Sequence, residues 1–417
     1  MGDLQRVLLD FGLILGAGLV SQLVARIVRL PEMIVMIAAG VLIGPAVLGV
    51  ASNPLGGVGA QLLFNAGVAM ILFHGGVGVS LKVISRVAFG LGMLVLPGVL
   101  ITAFIVALAV AGVFGVGFAV ALMVGAILSA TDPAILIPLF DRLNIRPKIS
   151  QTLISESAFN DPISTVLALA LVGTVQSGSF TLSDTFFGFV EEMVIGTAIG
   201  LFAGFLLAYL VSTTTRWGIW DEAPGVAILA VVALAYFSNE AVGGSGYLAA
   251  FVMGLVVGNM GDLRLGRRLG LGQDEVHARR LESFVAQIAE IATVLIFVTL
   301  GINLPFDALS KYFLGGLVVM AVFIFVARPV TVLVSLLPDR RARWSRDELL
   351  FLCWSRETGV VPTAVASLLL AQGVKGADIA VSMVALAVFA TLLLQATTAA
   401  PLARRLGLIE GTPADAG

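Results

Sequence analysis

A chain of 417 residues that is 59% hydrophobic and only 12% charged, with a mean hydropathy of +1.06, is an integral membrane protein; soluble domains carry roughly 25% charged residues. The net charge of −2 is uninformative about partners, and there is no basic tail for nucleic acid, no Walker loop and no dinucleotide fingerprint. One cysteine, Cys353, excludes an intramolecular disulfide and a cysteine-rich cluster, and two histidines, His74 and His277, argue against a histidine-built metal site.

An apolar core of about 30 Å requires roughly 20 residues per helix. On that ruler the chain divides into about thirteen spans, at 5–29, 31–50, 57–80, 87–114, 117–142, 149–174, 185–212, 223–240, 243–261, 281–302, 311–336, 347–371 and 377–403. The first apolar run, Val7 to Val28, is longer than a signal-peptide core and reads as a true span. Glycines within the runs point to close helix packing. The stretch 262–282 is charged and is expected at the membrane surface, and the tail after Arg405 is short.

Basic residues fix an expected orientation. With the N-terminus outside, the odd-numbered loops hold Arg26 and Arg29, Lys82 and Arg86, Arg142, Arg146 and Lys148, Arg216, the cluster from Arg264 to Arg280, and the cluster from Arg340 to Arg346. The tail adds Arg404 and Arg405, whereas the opposite side holds Arg6, Lys311 and Lys375. The positive-inside rule then places the C-terminus in the cytoplasm. Arg328 and Arg356 fall inside predicted spans.

Two spans carry interruptions. SATDP (129–133) breaks the fifth, and SRETGVVP (355–362) breaks the twelfth, which runs the other way. Paired broken helices of opposite direction are the sequence trace of an inverted-repeat transporter. Asp132 and Asp161 each precede a proline within apolar runs. A carboxylate at bilayer depth is expensive unless compensated, and proline frees backbone carbonyls there. Asp132 could compensate the dipole ends of two half-helices, or cap a helix in a water-filled loop.

In the sixth span Glu156 and Asp161 are five residues apart, about 140° round a helix, so they cannot face one small site. Ser157 and Asp161 share a face. Asp161, the Ser157 hydroxyl and a Thr131 carbonyl would form an all-oxygen site suited to a hard monovalent ion; the plainer alternative for Asp161 is a buried acid satisfied by hydroxyls. Glu156 needs a partner of its own, and Arg328 is the natural one. Arg356 and Glu357 could compensate one another or the broken helix ends, or lie solvated near the surface. His74 could relay protons or sense pH, or make a helix–helix hydrogen bond. Glu290 could line an access funnel or lie nearer the cytoplasmic end of its span.

TDP in the fifth span followed by ESxxND in the sixth resembles the cation/proton antiporter superfamily, in its sodium/proton exchanger branch of NhaP- and NHE-like proteins. LFHGG (72–76), FVTLGI (297–302), ARP (327–329) and GVVP (359–362) match in order along the chain. The resemblance implies an all-α polytopic homodimer in which two broken helices cross beside the ion-binding acid and a six-helix core slides against a scaffold. On that pattern 1–86 and 185–302 are scaffold, 87–174 and 311–405 are core, and 406–417 is a short tail. It also implies ion ligands at Asp161, Asp132, Ser157 and Thr131, with Asn160, Glu156, Arg328, Arg356, Glu357 and Thr358 supporting the site. Asn160 before Asp161, rather than a second aspartate, resembles the electroneutral branch. The chain departs from the pattern at His74, where an acid is common. It departs again at Thr358, which occupies the usual position of an arginine four residues before Pro362; both changes bear on selectivity and pH response.

The implied activity is exchange of Na⁺, or of K⁺ or Li⁺, for H⁺, without a cofactor and without enzymatic chemistry, in a prokaryotic cell membrane. Asp161 would bind a proton or a cation, never both, and cross only when neutralised. The rival readings are an organic-ion symporter, an ion channel, and an intramembrane hydrolase using Asp132 and Asp161 as an acid pair.

Overall fold

The computed structural model describes residues 3–28, 30–51, 58–84, 88–132, 145–177, 181–211, 224–263 and 275–409. Regular structure among them is helical, and the one β-bridge joins Ile145 to Ile409. In chain order the helices are α1 (Asp3–Val28), α2 (Glu32–Ile43), α3 (Val58–Gly78), the single turn α4 (Leu81–Ile84), α5 (Ala88–Phe114) and α6 (Phe118–Ser129). Then follow α7 (Pro147–Ser177), α8 (Leu182–Val211), α9 (Pro224–Ala241), α10 (Gly246–Asn259) and α11 (Glu275–Ile302). The last are α12 (Phe306–Leu336), α13 (Arg346–Trp354), α14 (Val360–Ala371) and α15 (Ala377–Arg405). Seven of the described helices are long and apolar enough to cross a bilayer, and α2, α6, α9, α10 and α14 are shorter apolar segments.

Apart from the single turn α4, the described helices fall within or overlap the expected spans, but several are shorter: α2 ends at Ile43 within the span expected over 31–50, and the span expected over 347–371 is two helices, α13 and α14. The second half of the fifth span, including Pro133, lies outside the described residues. The thin separation between the eighth and ninth spans is a true break. Gly243 adopts φ +76°, a left-handed conformation that costs a glycine little, and Ser245 then caps α10 by accepting a hydrogen bond from the Leu248 amide at 3.2 Å. Gly254 and Gly258 bring α10 against the backbone of α3 at Phe73 and Val77, where any side chain would collide.

The chain forms two compact units. One comprises 57–82 and 181–295, and packs α3, α8, α9 and α10 together. The other comprises 1–56, 83–180 and 296–417, and contains both the end of α6 at Ser129 and the break between α13 and α14. In it α6 packs on α5 and α7, while α5 also packs on α12.

Two features of this second unit were not expected from sequence. The helix α12 runs through Pro329 without breaking, because a π turn at Phe323–Ala327 precedes it, with the Arg328 amide bonded to the Phe323 carbonyl. A second π turn, Thr391–Ala396, interrupts α15. Such turns re-phase a helix and are frequent at functional sites. Pro162 likewise does not break its helix; α7 continues through it, so the proline removes one ladder bond rather than ending the helix.

Candidate functional site

The last carbonyls of an α-helix have no partner within the helix. Helix α6 ends at Ser129 and the chain turns extended at Ala130. Of its exposed acceptors, the Ala126 carbonyl takes the Ser129 hydroxyl at 2.6 Å. The Leu128 and Ser129 carbonyls take the guanidinium of Arg356, at 3.2 and 2.7 Å. A cation at a helix C-terminus also opposes the negative end of the macrodipole. Arg356 further contacts Thr102 Oγ1 at 3.4 Å and stacks over Phe323, 4.8 Å from the ring centre.

The second interruption is finished the same way. Helix α13 opens with a capping box of Ser345 and Glu348 and ends at Trp354. The Leu352 carbonyl accepts from Arg328 Nε at 2.9 Å, and the Ser355 carbonyl accepts from Arg328 Nη2 at 3.2 Å. Gln395, from the π turn of α15, donates to the Trp354 carbonyl at 2.5 Å. Thr391, from the same turn, accepts from the Thr358 amide at 3.2 Å. Each broken helix therefore has its C-terminal end closed by a buried arginine.

The two breaks touch. The Asp132 amide donates to the Glu357 carbonyl at 2.9 Å, and the Asp132 carboxylate accepts from the Val360 amide, at the N-terminus of α14, at 3.1 Å. Gly359 makes this approach possible, since a β-carbon there would overlap the Asp132 carboxylate. An acid at the positive end of α14 complements its dipole.

Helix α7 supplies the remaining groups. Asp161 Oδ1 accepts from the Thr131 amide at 3.2 Å, and the Ser157 hydroxyl donates to the Thr131 carbonyl at 2.5 Å. Ser164 and Thr165 hydroxyls bond the Asp161 carbonyl at 3.0 and 2.8 Å. On another face of α7, Glu156 forms a two-pronged ion pair with Arg328. Asn160 is buried, and its side-chain oxygen has no hydrogen-bond partner.

Thr131, Asp132, Ser157, Asp161, Glu156, Arg328, Arg356, Glu357 and Thr358 thus lie together around one meeting point, and Arg356 and Glu357 are buried rather than solvated. His74 and Glu290 lie in the first unit, on α3 and α11. His74 is half-buried with Nδ1 unbonded, and Glu290 is exposed. Thr102, Thr391 and Gln395 were not singled out from sequence; their signal was only that each is a polar residue in an apolar run.

The sequence profile of the transmembrane sodium/hydrogen exchanger family matches residues 12–405. The chain belongs to that family. Its members are cation/proton antiporters, transporters rather than enzymes. Over 412 residues the chain is 28% identical to the K⁺/H⁺ antiporter NhaP of Alkalimonas amylolytica, covering 98% of this chain and 68% of that protein. It is 27% identical to the K⁺/H⁺ antiporter NhaP2 of Shewanella oneidensis, over 93% of this chain and 65% of that one. It is 32% identical to the Na⁺/H⁺ antiporter 1 of Methanocaldococcus jannaschii, over 61% of this chain and 57% of that one. The chain thus spans about two thirds of the length of these relatives, or somewhat less. The fold matches the solved structure of the sodium proton antiporter MjNhaP1 from M. jannaschii at pH 8, with a TM-score of 0.81, 24% identity and coverage of 97% of this chain and 100% of that one.

Proposed function

We propose that the protein exchanges one monovalent cation for one proton across a prokaryotic cell membrane, with Asp161 as the group that carries either. The observation supporting this most directly is the placement of the Asp161 carboxylate on the Thr131 amide, at the meeting of two interrupted helices and beside the Ser157 hydroxyl. Thr131, Asp132 and Ser157 complete an oxygen-rich ligand set for a hard cation. Arg328 and Arg356 hold the broken helix ends, so their charges are committed to the scaffold of the site rather than to cargo.

Coupling follows from solvation. An ionised carboxylate is costly to move through a low-dielectric barrier, and either a bound proton or a bound cation cancels that charge. Loaded carriers cross and empty ones do not. This is alternating access of the elevator type in a homodimer, with the N-terminus outside and the C-terminus in the cytoplasm. Na⁺ and K⁺ are both supported as cargo, by relatives named for each. The hydrolase reading is set aside because the members of the family are transporters rather than enzymes.

Purified protein in proteoliposomes with a trapped pH dye tests the reading. An imposed Na⁺ or K⁺ gradient should drive proton flux of opposite sense, and Asp161→Asn should abolish it while leaving the protein folded. Proton flux surviving in Asp161→Asn would exclude Asp161 as carrier.

A further inference from the structure

A small cavity opens where the two interruptions meet, lined by Asp132, Ser157, Arg328, Ser355, Arg356 and Glu357 among others. It has room for about one water-sized body, which is also the scale of a dehydrated monovalent ion. Asp161 is not among its lining residues.

Glu357 is 2% exposed, and neither of its carboxylate oxygens has a hydrogen-bond partner. Ser355 Oγ, on the same cavity and 1% exposed, also has none. Arg356, the adjacent cation in sequence, is turned to the carbonyls closing α6 and to the ring of Phe323. Arg328 is matched by Glu156. Among the described residues, Glu357 is left without such a partner. A buried carboxylate without a hydrogen-bond partner is costly unless it takes up a proton or a cation, and the cavity beside it has room for a cation.

We infer that Glu357 is a direct ligand of the transported cation, which it holds with Asp132, Ser157 and Ser355 in the cavity between the two helix breaks, linked to Asp161 through Thr131. This deepens the antiport reading and rests on it. All four residues offer oxygen, the donor set hard cations prefer. Thr131 links the two positions: its amide bonds Asp161 and its carbonyl bonds Ser157. A carboxylate at 357 adds a charged ligand to the approach to Asp161, and therefore sets cation affinity and the preference among Na⁺, K⁺ and Li⁺.

Exchange in proteoliposomes with Na⁺, K⁺ and Li⁺, compared for wild type, Glu357→Gln, Glu357→Asp, Ser355→Ala and Asp161→Asn, tests the assignment. Glu357→Gln keeps shape and removes charge. It should raise the apparent KM for the cation about tenfold or more and change the order of preference, with Ser355→Ala shifting KM less. Unchanged KM and unchanged preference in Glu357→Gln, with Asp161→Asn silent, would overturn the inference and leave the antiport reading standing. Exchange persisting in Asp161→Asn would instead overturn that reading. Should Glu357→Gln be silent, Glu357→Asp decides. Exchange restored with an altered preference supports a ligand. Silence in both variants, with cation-induced thermal stabilisation of the detergent-purified protein as in wild type, refutes it.

Discussion

Replacing Arg328 separates the ion pair from the helix cap, because the guanidinium does both jobs. It bonds both carboxylate oxygens of Glu156 and the carbonyls of Leu352 and Ser355. Arg328→Met leaves a buried, uncompensated carboxylate, worth about 3–5 kcal/mol of lost stability. It also strips two carbonyls, at about 1–3 kcal/mol each. The double variant Glu156→Leu/Arg328→Met still strips the carbonyls but removes the stranded charge. It is therefore expected to be more stable than Arg328→Met by about 3–5 kcal/mol, yet less stable than wild type. Equilibrium unfolding in mixed micelles, with thermal melting as a second readout, measures the order. Equal losses in the single and double variants, or a double variant below the single, would refute the view that this pair matters through compensation of buried charge.

The same geometry gives further expectations. Gly359→Ala would drive a methyl group onto the Asp132 carboxylate, so exchange should fall to background; wild-type rates in a correctly folded Gly359→Ala protein would refute the close contact. Arg356→Met uncovers the Leu128 and Ser129 carbonyls, and should cost about 2–6 kcal/mol at about 1–3 per carbonyl, read as a lowered melting temperature that Arg356→Lys partly restores. On the proposed competition of proton and cation for Asp161, the apparent cation KM should rise as pH falls, in assays at fixed cation gradient; a pH-independent KM would refute the competition. Asn160→Asp adds a titratable group beside Asp161, and should alter the pH profile and the charge moved per cycle, measured as voltage dependence of exchange.

Much of the architecture was legible because membrane helices must satisfy their own backbone, so apolar length reports them directly. The GGSG turn and the break at Gly359 were visible as glycine within apolar sequence, and Glu156 with Arg328 as two buried charges needing each other. The two π turns were not legible, since Pro329 reads as a kink until the surrounding helix is seen to widen ahead of it. Nor could periodicity show that Arg356 would turn from Glu357 towards the end of α6, because an extended segment has no helical phase to project.

The residue pattern alone determined that this chain lives in a membrane, that two of its helices are interrupted, and that acids sit at those interruptions. These follow from the cost of charge and unsatisfied backbone in hydrocarbon, which acts on each segment by itself. Only tertiary structure decided which group closes which helix end: Arg356, from the second break, closes α6, Arg328, from α12, closes α13, Asp132 seats on α14, and Glu357 is left facing a cavity. Those pairings depend on contacts between residues as many as 228 positions apart, and packing in three dimensions fixes them.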